Sequence, residues 1–268
     1  MKLVASVRTP ARLDEGARAL ASAMGLALAE ARMRLAPEPP SLLARLEPGQ
    51  ADALVARLRE AGLAALAVNA GVPTDKDRMV ARSFSFESSG VTFTSKAGDA
   101  MPVLWPDVVA ILRGLRAFRS EVERTEKSKR FSVGAAVVTG GLTMTRMTTR
   151  TVRSSEESTE QVILVYARDG RAAILTEQVV DFACLGTGMQ ASSTGNIIEL
   201  ARRLREKAKG AFYDERLLRL GRRPLPFLAG GESRFQTSKV TTTRTDTSAS
   251  LDVLAEVMRQ ALVQGLLP

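Results

Sequence analysis

An α+β fold is predicted: a small β-α-α-β-α-β domain over residues 1–72, a strand-rich second domain over 78–220, and a strand/helix tail over 221–268. Three observations carry this. Apolar residues over the first seventy positions recur at helical spacing between three short apolar runs. From Arg82 onward the pattern changes to period-two alternation cut by Gly, Ser and Asp turns. Near residues 196–212 and 250–262 the helical spacing returns. A chain of 268 residues also exceeds the usual size of one domain, and 45% hydrophobic with 25% charged residues is ordinary globular usage.

Lys2–Val7 reads as a strand, and Leu13, Ala17, Leu20 and Met24 stripe the helix that follows, with Gly25 as its C-terminal cap. A second helix spans Leu28–Leu35, and Pro37, Pro39 and Pro40 break it before an apolar strand at Ser41–Leu46. Pro48 suits the first turn of a third helix, whose Ala51, Leu54, Val55 and Leu58 share one face. Gly62 closes that helix, and Leu63–Val68 returns as a strand.

The stretch Gly25–Ala31, the Pro39-Pro40 pair, Ala51, Leu54, Leu58 and the Ala61-Gly62 turn together resemble the C-terminal domain of the bacterial ribosomal stalk protein, a ClpS-like fold. The resemblance covers the first quarter of the chain. It implies a partner-docking surface on the first two helices, where Arg18 and Arg32 keep two basic positions while Ala21 and Ala29 replace others. The dimerising segment and hinge of the stalk protein have no counterpart, which argues against a ribosomal role.

A polar linker, Gly71–Arg78, precedes strands expected at Arg82–Glu87, Val91–Ser95, Met101–Trp105, Phe131–Val138, Leu142–Val152, Gln161–Ala167 and Arg171–Leu185. Turns are expected at Thr139–Gly141, Ser154–Ser158 and Asp169-Gly170, and an exposed connector at Glu121–Arg130. Asn196 with Glu199 reads as a capping box for a helix carrying Ile197, Leu200, Ala201, Leu204, Ala208 and Phe212. A meander ending on one amphipathic helix, with Leu104–Ile111 after two Phe-bearing strands, resembles bacterial pleckstrin-homology-like (PH-like) domains, in which the helix closes an open barrel. Arg82 and Lys96 alone stand where lipid-binding relatives carry a basic hairpin motif, and the single Trp105 lies outside the closing helix, so the resemblance does not extend to phosphoinositide recognition.

The chain contains no histidine, which removes Ser-His-Asp and Cys-His nucleophile pairs and the commonest neutral-pH acid–base group. No phosphate loop, dinucleotide fingerprint or calcium loop is present, so no catalytic, cofactor or metal residue is nominated. The lone Cys184, in Val179–Leu185, is expected to be a buried small hydrophobe, and a single cysteine fits a reducing, cytoplasmic compartment.

The formal charge is +9, and residues 201–223 hold nine basic against three acidic side chains. Arg202, Arg203, Arg205, Arg222 and Arg223 would attract an anionic membrane or nucleic acid; a solvated helix face is the other reading. Thr148–Thr151 recurs as Thr242–Thr245, which suggests edge strands presenting Arg150 and Arg244 to a partner protein, or only β-branched composition. Leu251, Leu254, Val257, Met258, Ala261 and Leu262 form a wide apolar face that must be covered by this chain or by a second copy through Leu251, Leu254, Met258 and Leu262. The expected function is a non-enzymatic protein-binding adaptor contacting partners through Arg18, Arg32, Arg150 and Arg244, with attachment to an anionic surface as the alternative.

Overall fold

The computed structural model describes residues 1–131, 145–222, 224–228, 232–237 and 240–267. The first unit runs β1 (Lys2–Ser6), α1 (Leu13–Met24), α2 (Leu28–Leu35), β2 (Ser41–Leu46), α3 (Pro48–Glu60) and β3 (Ala65–Asn69), the element order expected. Its antiparallel sheet has the order β2-β1-β3. Gly25 ends α1 in the left-handed region at φ 65°, which a residue without Cβ adopts at little cost. The period-two alternation of the strands sends Val4, Leu43 and Ala65 toward the three helices, where Leu20, Leu35 and Leu58 cover them. Leu3, Ala5, Leu42, Leu66 and Val68 leave on the opposite face.

The second sheet begins with β4 (Met79–Phe86), β5 (Gly90–Ser95) and β6 (Ala100–Leu104), then β7 (Val108–Phe131), β8 (Thr145–Ala167) and β9 (Ala172–Thr176). Two antiparallel three-strand meanders are joined where β4 lies parallel to β9, giving the order β7-β8-β9-β4-β5-β6, and the sheet curls into a half-barrel. Inside the curl Phe84, Val91, Phe93, Ile111, Ile163 and Leu175 receive Ile197, Leu200 and Leu204 of helix α4 (Ser193–Lys207). Burying each such side chain contributes roughly 1.5–3 kcal/mol.

Several expectations need correction here. The cap of α4 is Ser192, whose Oγ accepts from Gly195 N at 3.0 Å, whereas Asn196 is buried with its Oδ1 accepting from Gln190 N. The strand expected to Leu185 stops at Thr176; Phe182–Gly188 is a 3₁₀ stretch that buries Leu185 and leaves Cys184 exposed. Trp105 opens a 3₁₀ turn instead of ending a strand, half-buried, with its indole N–H donating to Glu87 O at 3.2 Å. The strand at Phe131–Val138, all but its first residue, and the turn at Thr139–Gly141 lie outside the described residues, as does the start of Leu142–Val152.

After α4 come β10 (Phe212–Asp214), the single turn α5 (Leu217–Leu220), β11 (Glu232–Gln236), β12 (Val240–Asp246) and α6 (Ser248–Val263). Helix α6 is a central layer. Residues 251–258 are all buried, between the helix-free face of the small sheet and the outer face of the half-barrel made by Ala110, Leu112, Val162, Leu164 and Ile174. Leu251, Leu254 and Met258 are fully buried and Leu262 is partly buried against the same core, so the apolar face is covered by this chain and a second copy cannot reach it. Gly114 on β7 permits the approach, because a Cβ there would stand 2.4 Å from Leu251 Cδ1.

The same layer holds a buried ion cluster. Arg78 Nη1 meets Asp252 Oδ1 at 2.6 Å, Arg116 grips Asp75 through two contacts of 2.7 Å, and Arg116 Nη2 lies 3.6 Å from Asp252. Burial pushes the Asp252 carboxyl above its ordinary range, against the pull of Arg78 and Arg116. Thus the Gly71–Arg78 linker is tied to α6 through Arg78 and to β7 through Asp75. Nearby, Tyr166 is buried with its hydroxyl unpartnered, and burial pushes its pKa up to about 12. Among the described residues no helix is long and apolar enough to cross a membrane.

Candidate interaction surface

The connector expected at Glu121–Arg130 and the turn expected at Ser154–Ser158 are both strand. β7 and β8 pair without interruption from Ala110↔Tyr166 to Phe131↔Thr145, with one register shift at Val108/Ala110. Near the body this ribbon is barrel wall. Beyond Ala117 it becomes an arm, where β12 pairs with Phe118–Arg124 and β11 pairs with β12, giving the order β11-β12-β7-β8. The arm is fastened at its root by Thr247, which is buried: Ala117 N donates to Thr247 Oγ1 at 2.9 Å and Thr247 N donates to Ala117 O at 3.1 Å.

Both faces of the arm meet solvent. Ser154–Thr159 are all exposed, as are Arg119, Glu121, Arg124 and Arg244. A groove of about 660 Å³ lies against Phe118, Ser120, Glu156, Ser233 and Arg244, and another of about 510 Å³ against Glu121, Val122, Ser155 and Arg234. Because Phe118 pairs with Asp246, Arg244 is two residues from Asp246, and Phe235 pairs with Thr242, the period-two rule puts Phe118, Arg244 and Phe235 on one face. Phe118 is 36% and Phe235 64% exposed. The Arg119–Glu121 pair at 2.7 Å is solvent-exposed and adds little stability.

Of the residues singled out in the sequence, Arg244 lies on this arm between the two phenylalanines. β12 is an inner strand, flanked by β11 and β7, instead of the edge expected. Arg150 is on β8 opposite Glu126, in a stretch with β7 as its one described strand neighbour; its side chain lies outside the described part. Arg18 and Arg32 are elsewhere, exposed on α1 and α2, with Arg32 Nη2 2.9 Å from Asp14 Oδ1. Phe118 and Phe235 were missed, although each is the lone aromatic in a polar strand segment.

The basic segment 201–223 is largely engaged within the chain. Arg202 pairs with Glu199 at 2.7 Å and with Glu206; Arg203 pairs with Glu199 at 2.7 Å and donates to Leu185 O; Arg205 lies 4.7 Å above the Tyr213 ring. The hydrogen bonds from Arg202 and Arg203 hold the Glu199 carboxyl down at about 2. Arg222 is exposed in a turn, and Arg223 lies outside the described residues. A groove of about 790 Å³ beside the β5–β6 turn instead gathers Lys76, Arg82 and Lys96, all exposed and without an ion-pair partner among the described residues, beside the carboxylates of Asp77 and Asp99.

No family model, no curated protein and no solved structure matches this chain.

Proposed function

We propose that this protein is a non-enzymatic, protein-binding adaptor whose docking surface is the arm face bearing Phe118, Arg244 and Phe235. The observation carrying the reading is the exposure of two aromatic rings with an arginine between them, on a sheet extension that nothing else in the described chain covers. Aromatic and arginine side chains are enriched at protein interfaces: the aromatics bury large area while losing few rotamers, and the arginine guanidinium offers five hydrogen-bond donors in a planar fork. The lack of histidine and of catalytic motifs supports a binding role. In the same reading the half-barrel closed by α4 is a PH-like module and residues 1–72 a stalk-C-terminal-like module. The meander filled by α4 and the β-α-α-β-α-β order support those two assignments, with Arg18 and Arg32 as secondary contacts.

The test compares tagged wild-type chain with a Phe118→Ala/Arg244→Ala/Phe235→Ala variant in recovery from native lysate, after matching their thermal unfolding. Specific partners are expected to be lost from the folded variant. Full recovery by the variant would refute the arm face as the docking site. A second reading, attachment to an anionic surface, is favoured by the Lys76, Arg82 and Lys96 groove more than by the paired arginines of α4. It requires salt-sensitive co-sedimentation with anionic vesicles that Lys76→Glu/Arg82→Glu/Lys96→Glu abolishes.

A further inference from the structure

The arm has an edge as well as two faces, and its chemistry is separate from that of Phe118 and Arg244. From Thr145 to Gln161, β8 has β7 on one side and, among the described residues, no strand on the other; β9 joins it only at Val162. The backbone groups on the open side can be assigned. Ala117 N and O both bond Thr247, on the side of β7 that faces β12, so even-numbered β7 residues face β8. Through the pairs Phe118↔Ser158 and Ser120↔Glu156, even-numbered β8 residues then face β7, and Ser155, Glu157 and Thr159 point N–H and C=O outward. Gln161 agrees, since its carbonyl accepts from Glu177 N at 2.9 Å on that same side.

Exposed edges are usually blunted by proline, bulges or short length. β6 shows this, with Pro102 at its centre and Arg171 donating to the Pro102 carbonyl, and β11 has only five residues. The β8 edge has neither proline nor glycine from Thr145 to Gln161 and no register shift. Its charges are segregated instead: Arg146, Arg150 and Arg153 come first, then Glu156, Glu157 and Glu160. Glu156 and Glu157 are exposed without an ion-pair partner among the described residues.

We propose that this edge pairs with the same edge of a second copy of the chain, antiparallel, about a two-fold axis near Ser155. That register sets Arg153 opposite the exposed Glu157, twice over by symmetry, and joins outward-facing backbone groups to outward-facing ones. Parallel in-register pairing would oppose like charges, so the segregated pattern selects the antiparallel partner. The inference uses the edge and leaves the proposed docking face free, so its test is independent of partner recovery.

The molar mass of the intact chain is measured by light scattering across a concentration series, for wild type, Glu157→Arg, Arg153→Glu, and an equimolar mixture of the two variants. Wild type is expected at twice the 28.8 kDa chain mass, each variant as monomer, and the mixture restored to the dimer. In parallel, Ser155→Cys in a Cys184→Ser background is expected to give an oxidised covalent dimer, whereas Ser158→Cys is not. A monomeric wild type, a dimer indifferent to both reversals, failure of the mixture to re-pair, or a dimeric Ser155→Cys chain that does not cross-link would each overturn the proposal.

Discussion

Replacing Asp252 by Ala tests whether α6 joins the two sheets into one cooperative structure. Arg78, with a side chain 1% exposed, would lose its 2.6 Å partner, and the nearest remaining carboxylate oxygen would be Asp75 Oδ1 at 3.7 Å. Breaking a buried pair from one side costs about 3–5 kcal/mol, because a desolvated charge is left behind. For a chain of this size that corresponds to a fall in Tm of about 6–20 °C. Denaturant unfolding should be followed by Trp105 emission, which reports the half-barrel, and by far-UV circular dichroism, which reports both sheets. The two transitions are expected to shift together, since Asp252 lies on the helix both sheets share. The double variant Arg78→Met/Asp252→Leu should recover most of the loss, because no charge remains buried there unpaired. A loss below about 1 kcal/mol in Asp252→Ala, typical of an ordinary surface change, would refute the buried-cluster account. So would a Trp105 transition that stays in place while the dichroism moves.

Two further outcomes follow from local geometry. Gly114→Ala should destabilise by about 1–3 kcal/mol through overpacking against Leu251, with Gly114→Ala/Leu251→Ala less affected than the sum of its parts in a thermal-unfolding cycle. Glu199 titrates lower in the folded chain, at about 2 against an ordinary 4.5, so its contribution is complete above 4.5 and is lost as pH falls toward 2. The Tm gap between wild type and Glu199→Gln should therefore be present at neutral pH and close on acidification; a gap independent of pH would show that the carboxylate charge is not what matters.

Local patterning made much of this protein legible. Helical apolar spacing, Gly25 in its left-handed cap and Pro48 at a first turn located α1, α2 and α3, and the alternation of Arg82–Glu87, Val91–Ser95 and, but for its last residue, Met101–Trp105 marked strands with one buried face. The arm was illegible by the same rule. Glu121–Arg130 and Ser154–Ser158 are strands whose sequence carries no apolar alternation, and their pairing follows from the neighbouring register of β7 and β8. Asn196 misled because the helix starts four residues earlier, at the Ser192 cap, and Cys184 because the neighbouring Leu185 is the residue that packing buries.

The sequence by itself determined that Leu251, Leu254, Val257, Met258 and Ala261 must be buried, because their spacing makes one apolar face of a helix. It could not say against what. Hydrophobic burial is non-directional, and a second copy would satisfy that face as well as a distant part of the same chain. Only the tertiary structure decided that the small sheet and the half-barrel enclose α6, with Gly114 clearing room for Leu251 and Arg78 meeting Asp252 across 174 residues of chain. Phe118, Arg244 and Phe235 likewise share a face because strand registers, set by contacts far apart in the sequence, bring β11, β12 and β7 side by side.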